Sequence, residues 1–155
     1  MTKSSSQKGF TLLELLIVMA LIAILVGIVL AALNPARQFA NARNSTRYAH
    51  LNAIVNAISA EAVEHNGSFT CAAGTVPSSA KIMADATSEP TGYDIGACLV
   101  PSFLSQMPFD PSTTGAHYTS TSDYDTKYTI SMDATGRITV AAPGAENSAV
   151  ISITR

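Results

Sequence analysis

Residues 15–33 form an unbroken apolar run of 19 residues, with no charge and no side chain more polar than methionine. A helix that crosses a bilayer needs about 18 or more such residues, so this run reads as a single membrane segment. Glu14, immediately before it, is the anomaly. A carboxylate within a turn of a lipid-embedded helix costs about 2.5–3.5 kcal/mol even on insertion-based scales. Its helical neighbours at three and four residues are Phe10, Thr11, Ile17 and Val18. Thr11 offers one hydroxyl hydrogen bond, and no cation on the same helix is within reach. Either Glu14 sits at headgroup depth and is solvated, or another molecule supplies its partner.

The stretch leading into the block is Lys8-Gly9-Phe10-Thr11-Leu12-Leu13-Glu14. The preceding residues are polar, with Lys3 and Lys8 and no acid. A secretory signal would instead place its apolar region before a small-residue cleavage site. The glycine, the phenylalanine, the glutamate four residues later and the apolar run behind it resemble the prepilin signature of the type IV pilin superfamily, which includes secretion pseudopilins. The resemblance implies that a membrane prepilin peptidase cuts between Gly9 and Phe10 and methylates the new amine of Phe10. It further implies that Glu14 of one subunit pairs with the Phe10 amine of the next. A buried unpaired charge is very costly and a paired one tolerable, so the carboxylate would favour one axial stagger of a homo-oligomeric filament. An assembly ATPase and an inner-membrane platform protein are the other partners implied. The segments expected are a leader at 1–9, a membrane and filament-core helix at 10–34, an amphipathic spine at 35–66, a variable loop at 67–116 and a sheet at 117–155.

The 155 residues leave room for one domain beyond the membrane helix. Mean hydropathy is +0.25, most of it due to the apolar block. The remainder is polar, rich in Ser, Thr, Ala and Gly, and lacks tryptophan. Cys71 and Cys98 flank a Gly, Pro and Ser-rich loop in a domain expected to be exported, which suggests a disulfide worth about 3 kcal/mol. Arg37, Arg43 and Arg47 form a basic collar beyond the membrane block, whereas residues 61–155 hold ten acids against four bases. By the positive-inside rule these arginines outnumber the two leader lysines. The head is nevertheless placed outside, because by resemblance the leader faces a cytoplasmic peptidase. A basic stripe can bind nucleic acid; contact with lipid phosphates before assembly, and with acidic faces of neighbouring heads afterwards, is the favoured reading.

Asn34-Pro35 pairs a favoured N-cap with a residue favoured at the first helical position. This predicts a break near residues 29–34, with the helix resuming at Pro35; Gly27 adds local weakness. Leu51, Ile54, Val55, Ile58 and Ala62 recur at helical spacing, and Asn66-Gly67 suits a C-cap. Residues 67–116 read as irregular, broken by five prolines, with one short helical turn at 102–107. Alternation predicts strands at 128–132 and 138–140 around an Asp133-Ala134-Thr135-Gly136 turn. Further strands are expected at 149–154 and 117–120. The face bearing Tyr128, Ile130, Ile138 and Val140 should pack on the Leu51/Ile58 stripe, giving an α+β fold: a long N-terminal helix with a small antiparallel sheet on its C-terminal half.

Asp110, Asp123 and Asp125 are weak candidates for calcium ligands; their spacing is not that of an EF-hand loop, and a solvated acidic loop is favoured. His50, His65 and His117 lie far apart with no acid–base partner nearby in sequence, and no nucleophile or phosphate-loop motif is present. No cofactor and no enzymatic role is expected. The residues point to a structural pilus subunit serving adhesion, motility or DNA uptake. A pseudopilin piston for secretion or competence, or a minor tip or membrane-anchored binding subunit, remain as alternatives.

Overall fold

A computed structural model describes residues 9–155. The chain divides into two compact units, one ending at Gln38 and the other spanning Phe39–Arg155.

In the first unit, helix α1 spans Leu12–Leu33 and buries none of its residues. A helix apolar on every side can hide that surface only in lipid or among other helices, and its 22 residues rise about 33 Å, close to the thickness of a bilayer's hydrocarbon core. The expected break narrows to one residue. Asn34 adopts the left-handed region with φ 42°, which asparagine tolerates better than most side chains. Its side chain then accepts the Arg37 N–H at 3.3 Å, so one residue ends α1 and caps α2, Pro35–Glu64. Residues 29–33 and Gly27 are helical throughout.

In the second unit, α2 turns Leu51, Ile54, Val55 and Ile58 inward, as the spacing predicts; Ala62 is only half-buried, while Ala57 and Glu61, outside the expected stripe, are buried as well. It ends at Asn66, φ 57°, and Gly67, φ 88°, where the Gly67 N–H reaches the Ala62 carbonyl at 2.8 Å. That six-to-one bond with a left-handed asparagine is a Schellman closure.

Strands β1 (Lys81–Ala84), β2 (His117–Ser120), β3 (Asp123–Met132), β4 (Ile138–Ala141) and β5 (Ser152–Thr154) form one antiparallel sheet ordered β1-β3-β4-β5, with β2 also against β3. Ile130 stands opposite Val140, and Met132 opposite Ile138. The connecting turn closes through Gly136, φ 83°. Tyr128, Ile130 and Val140 are fully buried in the core with Leu51 and Ile58, while Ile138 packs at its edge half-buried.

Three expectations need correction. Residues 67–116 are not structureless: they contain β1 and a short helix, α3 (Gly96–Leu99). They also supply Val76, Met83, Tyr93, Ile95, Leu99 and Met107 to the core. The helical turn expected at 102–107 lies earlier, at α3, which the Val100 N–H closes on the Gly96 carbonyl; a further turn follows, where the Phe103 and Leu104 N–H groups bond to the Leu99 carbonyl. Finally, β3 starts five residues before the expected strand and carries an irregularity at Lys127, φ 56°.

Candidate functional site

The N-terminal site is built on the first turn of α1. Gly9 and Phe10 precede the helix, and Phe10 is 85% exposed. Thr11 is the N-cap. Its backbone N–H and its hydroxyl both donate to Glu14 Oε2 at 3.0 Å, and its hydroxyl oxygen accepts the Glu14 N–H at 3.2 Å. This is a reciprocal capping box. Glu14 therefore has more local support than one hydroxyl, and the signal was present in the sequence as Thr11-x-x-Glu14. Both donated bonds land on Oε2, both donors are neutral, and among the described residues no cation forms an ion pair with Glu14. The carboxylate also sits where the unsatisfied N–H groups of a helix start favour negative charge. The leader lysines, Lys3 and Lys8, fall outside the described residues.

The basic collar is not a free surface. Arg47 is completely buried on α2 and donates through Nε and Nη2 to Asp110 at 2.7 and 2.9 Å. It also donates to Glu146 at 3.0 Å, to Asn44 Oδ1 at 2.9 Å and to Ser112 at 2.7 Å. Arg43 forms a two-pronged pair with the same Glu146, at 2.5 and 2.7 Å. Asn44 completes the clamp: its amide donates to the Glu146 carbonyl at 2.8 Å, and its oxygen accepts the Glu146 N–H at 3.0 Å. Burial pushes the Asp110 carboxyl up, but Arg47 and the N–H groups of Ser112 and Thr113 outweigh it and hold it at about 2. Arg43, then Arg47, hold Glu146 at about 2. The expectation that these arginines touch lipid phosphates or other heads is overturned for Arg47, whose charge is buried and paired inside the domain; Arg43 is paired with Glu146 but stays partly exposed.

The three aspartates considered for calcium are not brought together as ligands. Asp110 belongs to Arg47. Asp123 faces His117 at 3.1 Å, and Asp125 pairs with Lys127 at 2.5 Å. Among the described residues no group of three or more His, Cys, Asp or Glu side chains is placed to hold a metal. The histidines do have partners: His50 Nδ1 meets the Tyr128 hydroxyl at 2.9 Å, and His65 lies 2.8 Å from Glu61. Burial lowers the His50 pKa, whereas the Gly115 carbonyl and then Asp123 raise that of His117. Cys71 and Cys98 form a disulfide with Cα atoms 5.6 Å apart. It closes a loop further pinned by Thr70 N–H on Glu61 at 3.1 Å and by the Tyr93 hydroxyl on the Gly74 carbonyl at 2.7 Å.

Residues 4–30 match the family described as the prokaryotic N-terminal methylation motif. No curated protein and no solved structure matches the chain. The motif supports a type IV pilin-like class III signal at the N-terminus, which implies processing by a prepilin peptidase and assembly in a pilus-like system. With α1 behind it, the motif fits membrane anchoring of a type IV pilin-like or pseudopilin-like protein.

Proposed function

We propose that this chain is the structural subunit of a type IV pilus, a homo-oligomer that polymerises through α1 into a surface filament. The observation that carries the reading is the pairing of a helix with no buried residue and a carboxylate near its start whose partners are neutral groups of Thr11. Cleavage between Gly9 and Phe10 frees an amine that is cationic at neutral pH. The amine of Phe10 in one copy then meets Glu14 of the next, within a bundle of apolar helices. The Thr11 cap fixes the carboxylate in place beforehand, so one axial stagger satisfies the charge and slipped staggers strand it.

Before assembly the chain is a single-pass protein of the cytoplasmic membrane with its head outside; afterwards it is part of an extracellular fibre. An assembly ATPase and a platform protein drive the transfer. The role is structural and non-enzymatic, in a filament serving adhesion, motility or DNA uptake, and needs no cofactor or metal. Sheared surface fibres provide the test. Their main component should be this chain, starting at N-methylated Phe10, and Glu14→Leu as the sole copy should abolish them. Short periplasmic assemblies without surface fibres would favour a pseudopilus. A mature chain still beginning at Met1 would refute both.

A further inference from the structure

The chain holds two Asn-x-Ser/Thr triplets, Asn44-Ser45-Thr46 and Asn66-Gly67-Ser68, the pattern in which an asparagine amide accepts an oligosaccharide in exported proteins. The fold treats them in opposite ways. Asn44 lies inside α2 and is buried. Its amide nitrogen donates to the Glu146 carbonyl at 2.8 Å, and its oxygen accepts the Glu146 N–H at 3.0 Å and Arg47 Nη1 at 2.9 Å. Freeing that nitrogen for chemistry means unwinding α2 and opening the clamp that Arg43 and Arg47 form on Glu146.

Asn66-Gly67-Ser68 lies just past the end of α2, and all three residues are exposed. Among the described residues no hydrogen bond engages the Asn66 amide or the Ser68 hydroxyl. Two backbone bonds close this end: the Gly67 N–H on the Ala62 carbonyl at 2.8 Å and the Ser68 N–H on the His65 carbonyl at 3.3 Å. An exposed helix end frays at little free energy, so a transferase can take this triplet in extended form without disturbing the core. Gly67 and Ser68 also border a groove of about 450 Å³, which Ser59, Thr75, Arg155 and Phe69 help to line. Apolar surface interrupted by a few hydroxyl and charged groups suits a ligand with both C–H faces and hydroxyls, so a sugar linked at this rim has fitting space beside it.

We propose that Asn66 carries an N-linked oligosaccharide and that Asn44 does not. The donor is an oligosaccharide borne on a lipid diphosphate. Asn66 Nδ2 attacks the anomeric carbon, the bond from that carbon to the diphosphate oxygen breaks, and the lipid diphosphate leaves. The amide nitrogen gives up one proton and keeps the other beside the new C–N bond. The inference rests on the reading of the head as exported, and adds to it a modification at the exposed end of the spine helix.

The experiment uses the full-length chain recovered from its own cells, both from sheared fibres and from membranes. After reduction, trypsin separates the two triplets into peptides 44–47 and 48–81. Peptide 48–81 should carry a mass increment built of hexose or N-acetylhexosamine residues, retained under the alkaline conditions that strip sugars from serine and threonine. Peptide 44–47 should be unmodified. Asn66→Gln and Ser68→Ala should each remove the increment, and Ser68→Ala does so with Asn66 and both closing backbone bonds in place. An increment that survives Asn66→Gln, or one found on peptide 44–47, would overturn the proposal. An unmodified peptide 48–81 in chains that begin at Phe10 would overturn it as well and leave the filament reading standing. Unmodified chains that still begin at Met1 would overturn both.

Discussion

Glu14 and Asp110 are both acids held by short-range hydrogen bonds, and they are satisfied in opposite ways. Asp110 is buried in the head and receives both prongs of Arg47 from the same chain. Glu14 stands on a helix with no buried residue, and its bonds come from the uncharged N–H and hydroxyl of Thr11. At this clamp the head closes its electrostatics internally, around an arginine with no exposure at all. The N-terminal unit gives its charge only neutral donors among the described residues. In the filament proposed above, self-assembly would use the open site, while the closed one supplies rigidity.

The sharpest way to break this contrast is to open the closed site. Arg47→Ala would leave Asp110 buried and unpaired, costing about 3–5 kcal/mol and lowering the melting temperature of the head by on the order of 10–20 °C. Arg47→Met combined with Asp110→Leu should recover most of that loss, because removing both charges removes the desolvation penalty as well. If the single variant melts like wild type, the clamp contributes no stability and the distinction between the two acids fails. Next in size is the Cys71–Cys98 tie. Cys71→Ser with Cys98→Ser should cost about 3 kcal/mol, read as an earlier urea midpoint, with β1 and the other ladders retained by circular dichroism.

Acid sharpens the comparison further. Asp110 and Glu146 both have pKa values held at about 2 in the folded head, below the ordinary unfolded values of about 3.9 and 4.3. Their stabilisation is therefore complete above the unfolded values and is lost as pH falls through the folded ones. Melting temperature should be level from pH 7 to about 5 and then fall steadily toward pH 2. In Arg47→Met with Asp110→Leu the fall should be shallower, and an equal slope in both proteins would place the acid sensitivity elsewhere.

The sequence showed clearly whatever is encoded locally. The apolar block, the Asn34-Pro35 junction, the inward stripe of α2 and the Asp133–Gly136 turn are patterns within a few residues, and the structure places each close to where the pattern does. What was misread depends on distance. The partners of Arg47 and Arg43 lie 63 and 103 positions away, so three arginines in a row of turns looked like a free basic surface. Similarly, β1 is four residues long and gains its identity from pairing with β3. Helix α3 is also four residues, opened by Gly96, whose missing side chain leaves room for the Tyr124 ring; a Cβ there would come within 2.7 Å of it. No periodicity can be read from segments that short.

Thr11 is different, because its role was local and legible, and it carries the smallest expected effect. Loss of an N-cap costs about 1 kcal/mol, so Thr11→Val should fray the first turn of α1 without touching the head. Hydrogen exchange of full-length protein in detergent should show faster exchange at the first amides of α1 and unchanged protection in β3 and β4. Thr11→Ser, which keeps both donated bonds to Glu14, should behave like wild type. If assembly depends on a carboxylate held ready for an incoming amine, fibre yield should follow the same order, with Ser close to wild type and Val reduced. Equal yields from all three would mean that the partner amine positions Glu14 by itself, and the capping box would then stabilise only the isolated helix.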